Sequence, residues 1–316
     1  MSDTLPAQDC WFLTGATAVG KTAIGLALAR RLGAEIISLD SMAIYRGMDI
    51  GTAKPTPQQQ AELPHHLIDV ADPGEDYSIA RYLEAAHAKI VEIRDRGREV
   101  LFVGGTPLYL KALLRGLSTG PPADWQLREE IESEIAVVGS QALYDRLEQV
   151  DPVAASQIHP HDSRRLIRAL EVFRATGQPI SHQQLQFEES SLADQRRVFV
   201  LRRSREEQNQ RIEQRVEQMI DRGLVNEVRS LTSAGKQLGR TAGKAVGYRE
   251  VIDHFAGRID AETMVEKIKA STRRFAKRQG TWFRSLSESR FLDLEGEVAT
   301  EQIAQEVAQA GESAPR

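Results

Sequence analysis

Cysteine is all but missing from this sequence: Cys10 is the one thiol in 316 residues. A single thiol excludes an internal disulfide framework and any thiolate zinc site, and it suits a reducing cytoplasm. Lying at the start of an apolar run, Cys10 is expected to be packed rather than reactive. No apolar run approaches membrane-spanning length. Met1-Ser2-Asp3-Thr4 lacks the basic and apolar regions of a signal peptide. The expectation is a cytoplasmic protein without a membrane partner, and nothing demands more than a monomer. No strand-like run ends in the Asp-Glu pair of nucleic-acid motors, and no Asn-Lys-x-Asp guanine-reading motif occurs. His65-His66 and His159-Pro160-His161 do not have zinc-ligand spacings, so none is read as a metal ligand.

Acids are also missing, locally. The net charge is −4, yet Lys267 to Ser287 contains no acid and carries Lys267, Lys269, Arg273, Arg274, Lys277, Arg278 and Arg284. Arg229 to Arg249 is likewise acid-free, with Lys236, Arg240 and Lys244 between. Arg196, Arg197, Arg202, Arg203 and Arg205 form a third cluster, while acids gather elsewhere, as at Glu129 to Glu134. Segregated charge of this kind predicts a polyanion-binding surface despite the acidic total.

What is present is a complete phosphate-binding loop. Gly15-Ala16-Thr17-Ala18-Val19-Gly20-Lys21-Thr22 satisfies G-x-x-x-x-G-K-[ST] at every fixed position. It lies between a strand-like run, Cys10 to Leu13, and a helix-like run, Ala23 to Leu32, closed by Gly33. Glycines let backbone amides curl around an anion, and the helix N-terminus adds positive potential. Lys21 brings a full charge to the phosphates, and the Thr22 hydroxyl can ligate Mg²⁺. The motif identifies a di- or triphosphate, not what is done with it.

Strand and helix signals alternate through the first hundred residues. Strands are expected at Trp11 to Thr14, Glu35 to Leu39, His66 to Val70 and Val100 to Val103, with a helix at Ser78 to Arg96 capped by Ser78 and stopped by Gly97. That alternation predicts an α/β fold with a doubly wound parallel sheet, here a P-loop NTPase-like core. Pro121-Pro122 marks a boundary. Helices with few strand signals then run from Ala123 to about Phe187, broken by Gly177-Gln178-Pro179 and by the polar stretch Glu188 to Gln195. Arg197 to Leu201 reads as a strand rejoining the sheet. Residues 117–196 are thus an all-helical insertion in a core of 1–116 plus 197–316. C-terminal helices are expected at Arg205 to Arg222, Val225 to Ala234 and Ala261 to about Ser285, and the polar tail after Gly296 is expected to fray.

Ligands of an open α/β sheet sit at the carboxyl ends of its strands. Asp40 ends the second strand there, suited to hold Mg²⁺, to accept a proton from a nucleophile, or simply to cap the next turn. Gly104-Gly105-Thr106 ends a third strand at the same rim. Together these pieces resemble a known family, the tRNA dimethylallyltransferases. The segment Asp40-Ser41-Met42-Ala43-Ile44-Tyr45-Arg46-Gly47-Met48-Asp49-Ile50-Gly51-Thr52-Ala53-Lys54-Pro55 looks like its signature. Pro64 to Asp69, Gly104 to Tyr109, Arg165 to Val172, Val246 to Arg249 and Lys277 to Arg284 match it as well, in order, from about residue 11 to 285. The family's phosphate loop usually reads G-P-T-A-S-G-K-T; here Ala16 replaces the proline and Val19 the serine.

The resemblance implies transfer of a dimethylallyl group from dimethylallyl diphosphate to N6 of adenine-37, next to the anticodon of tRNA. In that reading Gly15 to Thr22 cradle the donor's diphosphate rather than a nucleotide, Asp40 accepts the N6 proton, and Thr106 binds substrate at the reaction centre. Lys21 and Arg215, one helical turn after Arg211, hold the leaving group with Mg²⁺ at Thr22. The tRNA anticodon stem-loop would contact Asp40, Ser41, Met42, Ala43 and Thr106. It would also contact Arg128, Arg164, Arg165, Leu166, Ile167 and Arg168 in the insertion, and Lys244, Gly247, Tyr248, Arg249, Lys277, Arg278, Gln279, Trp282 and Arg284. Phe283 is expected in the core. A P-loop kinase of a small metabolite shares the loop, sheet and acid but leaves the basic helices unexplained. A nucleic-acid-binding NTPase lacks its motifs, and a non-catalytic RNA-binding module leaves the loop without a purpose.

Overall fold

The computed structural model describes residues 7–116, 120–121, 123–184, 197–233 and 237–312. Pro122, Phe187, the stretch from Glu188 to Gln195, Arg196, Ala234 and Lys236 lie outside the described residues. The chain divides into two compact units: 1–114 with 190–316, and 115–189. The first unit begins with β1 (Trp11–Gly15), α1 (Lys21–Leu32), β2 (Ala34–Ser38), α2 (Pro57–Glu62), β3 (His65–His66), α3 (Ile79–Asp95), β4 (Glu99–Gly104) and α4 (Pro107–Arg115). The second unit holds α5 (Trp125–Val150), α6 (Pro152–Gln157), α7 (Ser163–Thr176) and α8 (Ile180–Gln184). The first unit resumes with β5 (Val198–Arg202), α9 (Arg205–Asp221), α10 (Leu224–Thr232), α11 (Tyr248–Phe255), α12 (Ala261–Arg284), β6 (Arg290–Asp293) and α13 (Thr300–Glu312).

The strands form one parallel sheet in the order β3-β2-β4-β1-β5-β6. Every residue of β1 is buried, as a central parallel strand covered on both faces requires. Trp11 stacks on Phe199 and is closed over by Gly311 of α13, while Leu13 lies beneath Gly25 of α1. On the alternate side Phe12 stacks on its register partner Phe102, ring centroids 4.9 Å apart. Such a pair contributes about 1 kcal/mol beyond its buried area. Cys10 is buried, and burial pushes its thiol up to about 12, so the packed rather than reactive reading holds.

Two expectations are corrected. The run His66 to Val70 gives only a two-residue strand, because Leu67 and Asp69 take positive φ angles of 59° and 57° and bend the chain out of the sheet. Through residue 312 the tail beyond Gly296 is packed rather than frayed. Its helix α13 buries Ala304, Val307 and Ala308, packing against α1, and Gly311 meets the Trp11 indole. Just ahead of it β6 pairs with β5. Elsewhere local signals become structure as read. The Ser78 hydroxyl accepts the Arg81 N–H at the start of α3, and Gly33 closes α1 in the left-handed conformation.

The second unit has its own core of Ile131, Leu143, Leu147, Ala155, Leu166, Ile167, Ala169 and Leu170. Its long helix α5 is interrupted at Gly139, whose φ of 82° breaks the ladder. Asp124, Asp151 and Asp162 cap α5, α6 and α7 through their carboxylates.

Candidate active site

The phosphate loop follows β1 at the sheet's carboxyl edge, between the ends of β4 and β5, with β2 next beyond β4. Gly15, Ala18 and Gly20 have positive φ angles of 144°, 66° and 108°, which turn successive amides toward one side. A side chain at Gly15 would stand 2.3 Å from the Leu201 carbonyl oxygen, so only glycine fits. Residues of α9 and of the turn between β5 and α9 hold the loop from behind. Gln208 Nε2 donates to Thr17 O at 3.0 Å, Arg211 Nε to Ala18 O at 2.9 Å and Arg203 Nε to Val19 O at 3.2 Å. With three carbonyls fixed on that side, the N–H groups of Val19, Gly20, Lys21 and Thr22 are left with no acceptor among the described residues. Ala16 and Val19 are both buried, and Val19 packs against Gly15. The departures from the family's loop are therefore accommodated in the core.

Lys21 folds onto the loop, its Nζ donating to Gly15 O at 3.0 Å and Ala16 O at 2.7 Å. Burial of the ammonium, then the nearby Arg215 guanidinium, push its pKa down to about 7, with Asp40 pulling the other way. Burial likewise lowers Arg215, again opposed by Asp40. Arg215 makes no hydrogen bond or ion pair to a described residue. Two cations thus share one carboxylate, a local excess of positive charge in a poorly hydrated place. The site is stabilised by an added anion.

Asp40 has a divided role. Its Oδ1 accepts the Met42 N–H at 2.8 Å and the Ala43 N–H at 3.3 Å, so the capping reading is realised. Its Oδ2 has no hydrogen-bond partner among the described residues. Thr106 joins the same rim. Its N–H reaches Leu39 O at 3.0 Å, and its hydroxyl accepts the Ser41 N–H at 3.1 Å. Gly104 has to be glycine, because a Cβ there would stand 2.2 Å from Leu39 O. Tyr82 and Tyr109 stack with centroids 3.9 Å apart, and burial raises both phenols, so they remain neutral.

The segment after Asp40 is held by residues that sequence reasoning did not single out. Lys54, buried, donates to Tyr45 O and to carboxylates of Asp49 and Asp69, both 2.6 Å away. Glu227 of α10 accepts the N–H groups of Asp49, Ile50 and Gly51 and the Tyr248 hydroxyl, the last at 2.6 Å. Gly51 lacks a side chain because a Cβ would stand 2.4 Å from the Tyr248 ring. A carboxylate at Glu227's spacing carries no motif; it acquires meaning only once α10 meets this loop.

The residues expected to touch RNA fall into two groups. Exposed are Arg164, Arg165, Lys244, Arg249, Lys277, Arg278 and Arg284, with Trp282 half-buried. Ser41 and Met42 are half-buried at the rim beside Asp40. Six others are corrected as surface contacts. Tyr248 is fully buried with its hydroxyl on Glu227, and Gly247 and Ala43 are buried as well. Leu166 and Ile167 sit in the helical unit's core, because α7 turns that face inward. Gln279 is also buried and points into the phosphate loop. Arg128 and Arg168 are part-exposed and already bound to the buried Glu171, which accepts from Arg128 Nε and Nη2, Arg168 Nη1 and the Asp124 N–H. Lys269 and Arg273 pair with Glu217 and Glu213 of α9. Phe283 is buried, as expected.

Fold and site together define a P-loop α/β protein in which the loop's amides and the cations Lys21 and Arg215 lie near one carboxylate at the rim. A family model described as IPP transferase matches residues 43–286. The tRNA dimethylallyltransferase of Rhodopirellula baltica is 50% identical over 293 residues, 90% of this chain and 88% of that protein. That of Pelotomaculum thermopropionicum is 44% identical over 99% of both chains. Among solved structures, the full-length tRNA isopentenylpyrophosphate transferase of Bacillus halodurans superposes with a TM-score of 0.70 at 38% identity, covering 97% of this chain and 98% of that one. A eukaryotic dimethylallyltransferase described as acting on tRNA gives a TM-score of 0.72 at 26% identity, covering 90% of this chain and 73% of that one. The chain belongs to the IPP transferase family, the tRNA dimethylallyltransferases.

Proposed function

We propose that this chain transfers a dimethylallyl group from dimethylallyl diphosphate to N6 of adenine-37 in tRNA, releasing diphosphate. The observation that carries the reading is the pair Lys21 and Arg215, which among the described residues share only Asp40 as counter-charge beside loop amides that have no acceptor there. An allylic diphosphate ionises because its cation is delocalised, so catalysis consists mainly of stabilising the departing anion. The allylic C–O bond breaks toward the amides of Val19 to Thr22, Lys21 and Arg215. The N6–C bond forms at the freed carbon, and Asp40 Oδ2 takes the N6 proton. Thr106 orients the substrate at the rim it shares with Asp40. The adenine leaves its stack to reach this place, as other modified bases do.

Mg²⁺ would be held here by the Thr22 hydroxyl, beside the bound diphosphate. Thr22 is exposed at the helix mouth, and its hydroxyl has no partner among the described residues. No cluster of three acidic, His or Cys side chains among the described residues offers a competing cation site. When bound, the ion supplies further positive charge against the leaving group. The exposed cations of α12, with Lys244 and Arg249, suit the RNA backbone, as do Arg164 and Arg165 within the helical unit.

A small-metabolite kinase would use the same loop but would have no need of exposed cations along α12. Incubation with labelled dimethylallyl diphosphate and unmodified tRNA tests the choice. Label in tRNA is expected, whereas ATP turnover without transfer would overturn the reading. No helix among the described residues is long and apolar enough to cross a membrane.

A further inference from the structure

Gln279 lies between Arg278 and Trp282 in sequence, on a helix whose neighbouring side chains are exposed cations. By position it looks like one more RNA contact. Its side chain does the opposite: it is 5% exposed and turned toward the catalytic rim. Both ends of the carboxamide are used. Oε1 accepts the Thr17 N–H at 2.9 Å, and Nε2 donates to Gly105 O at 2.5 Å. Only one orientation of the amide satisfies both partners.

Those partners belong to different loops. Thr17 is in the phosphate loop after β1; Gly105 precedes Thr106 after β4. A Cβ at Gly105 would stand 2.7 Å from Gln279 Nε2 and 3.5 Å from Lys21 Nζ. The glycine thus lets the carboxamide and the Lys21 ammonium share one packed layer. At a hundred degrees of turn per residue, α12 presents Lys277 and Arg278 outward while Gln279 points in. The two cations are exposed and make no ion pair to a described residue.

We propose that Gln279 is a positioning residue that couples docking of RNA on α12 to the grip of the phosphate loop on diphosphate. The inference rests on the transferase reading. RNA seated on Lys277 and Arg278 fixes α12. The bidentate carboxamide transmits that placement to Thr17 and Gly105, setting the loop's free amides and Thr106 in register. Coupling between binding events is reciprocal, so diphosphate must tighten RNA binding by the same factor.

The test measures inorganic diphosphate affinity by calorimetry, with and without a saturating anticodon stem-loop RNA. In the wild-type protein the RNA is expected to tighten diphosphate by about fivefold or more. In Gln279→Met, which keeps the volume and removes both hydrogen bonds, that factor is expected to fall toward one, while RNA affinity alone stays within about twofold of wild type. Gln279→Glu keeps the acceptor for Thr17 and loses the donor to Gly105, so it provides a second variant of reduced coupling if the first does not fold. Absence of coupling in the wild type would overturn the proposal without any variant. So would wild-type coupling in Gln279→Met, or a tenfold loss of RNA affinity there, which would make Gln279 an RNA contact. Prenyl transfer by the wild type, assayed alongside, keeps the two readings separate: no transfer removes the functional assignment, whereas transfer without coupling removes only this inference.

Discussion

Lys21 and Arg215 in the sheet unit, and Arg128 and Arg168 in the helical unit, are two pairs of cations that look alike in sequence. The protein treats them in opposite ways. Arg128 and Arg168 converge on Glu171, whose carboxylate is fully buried and takes four hydrogen bonds from them and the Asp124 amide. Their charge is spent on closing the start of α5 against α7. Among the described residues Lys21 and Arg215 have no carboxylate within ion-pair reach, and burial presses both toward the neutral form. A cation supplied with an anion by its own fold is a strut; one denied an anion is open to an anionic ligand. Sequence reports the charge, and only the fold reports its partner.

The largest expected effects fall on the unsatisfied pair and the acid between them. Asp40→Ala is expected to lower turnover by about 10²–10⁴-fold, the range of a lost general base, while RNA still binds. Arg215→Ala is expected to lower kcat by about 10²–10³-fold, as for a lost donor to a developing anion. Single-turnover transfer with labelled donor measures both. Full activity in Asp40→Ala would leave that carboxylate only its cap on Met42 and Ala43.

The satisfied pair should respond in stability instead. In Glu171, burial pushes the carboxyl up, but the hydrogen bonds from Arg128, Arg168 and the Asp124 N–H outweigh it, and the net direction is down. Its contribution is therefore present above the unfolded carboxyl's pKa and lost as pH falls through the folded value. Glu171→Gln is expected to cost the helical unit about 2 kcal/mol, because the part-exposed arginines can turn to water. Denaturation followed through Trp125, which lies under the Arg128 guanidinium at 4.8 Å, reads this directly. Unchanged stability with weakened RNA binding would reverse the comparison.

Much of the sheet unit was legible because its signals are local. The phosphate loop, Ser78 before α3 and Gly33 after α1 state their backbone conformations in a few residues. Asp40 and Thr106 follow from the rule that ligands gather at strand ends. What was not legible depends on distant partners. Helix α13 is held by small residues, Ala304, Ala308 and Gly311, whose value lies in letting α1 and Trp11 come close, so its polar surface dominates the pattern. Tyr248 lies between cations in sequence but beneath Gly51 in space. Gln279 and Glu227 carry no motif, and each acquires its role from a loop more than a hundred residues away.

A pH series probes the same contrast more finely. Lys21, lowered from an ordinary lysine to about 7, loses its proton progressively above that value in the free protein. Diphosphate favours the charged form, so its binding above pH 7 must take up a proton at Lys21. Affinity should accordingly fall by up to about tenfold per pH unit there. In stability the sign is opposite: between the folded and unfolded values the unfolded chain binds the additional proton, so stability rises with pH across that window. Calorimetry at pH 8 in buffers of different ionisation enthalpy, compared with Lys21→Met, isolates this uptake. Equal uptake in the two proteins would assign the proton elsewhere.

The smallest effect separates cations within α12 itself. Lys269 and Arg273 are engaged by Glu217 and Glu213, whereas Lys277 and Arg278 make no ion pair to a described residue. Each phosphate contact releases condensed counterions, so removing one flattens the dependence of log affinity on log salt by about 0.9 for duplex and about 0.7 for single-stranded nucleic acid. Lys277→Ala and Arg278→Ala should each reduce the slope by about that amount, and Lys269→Ala and Arg273→Ala should leave it nearly unchanged. Filter binding of stem-loop RNA between low and moderate salt resolves the difference. Should Arg273→Ala flatten the slope as much as Arg278→Ala, its bond to Glu213 would have to yield to RNA. A fold-supplied anion would then no longer mark a cation as structural.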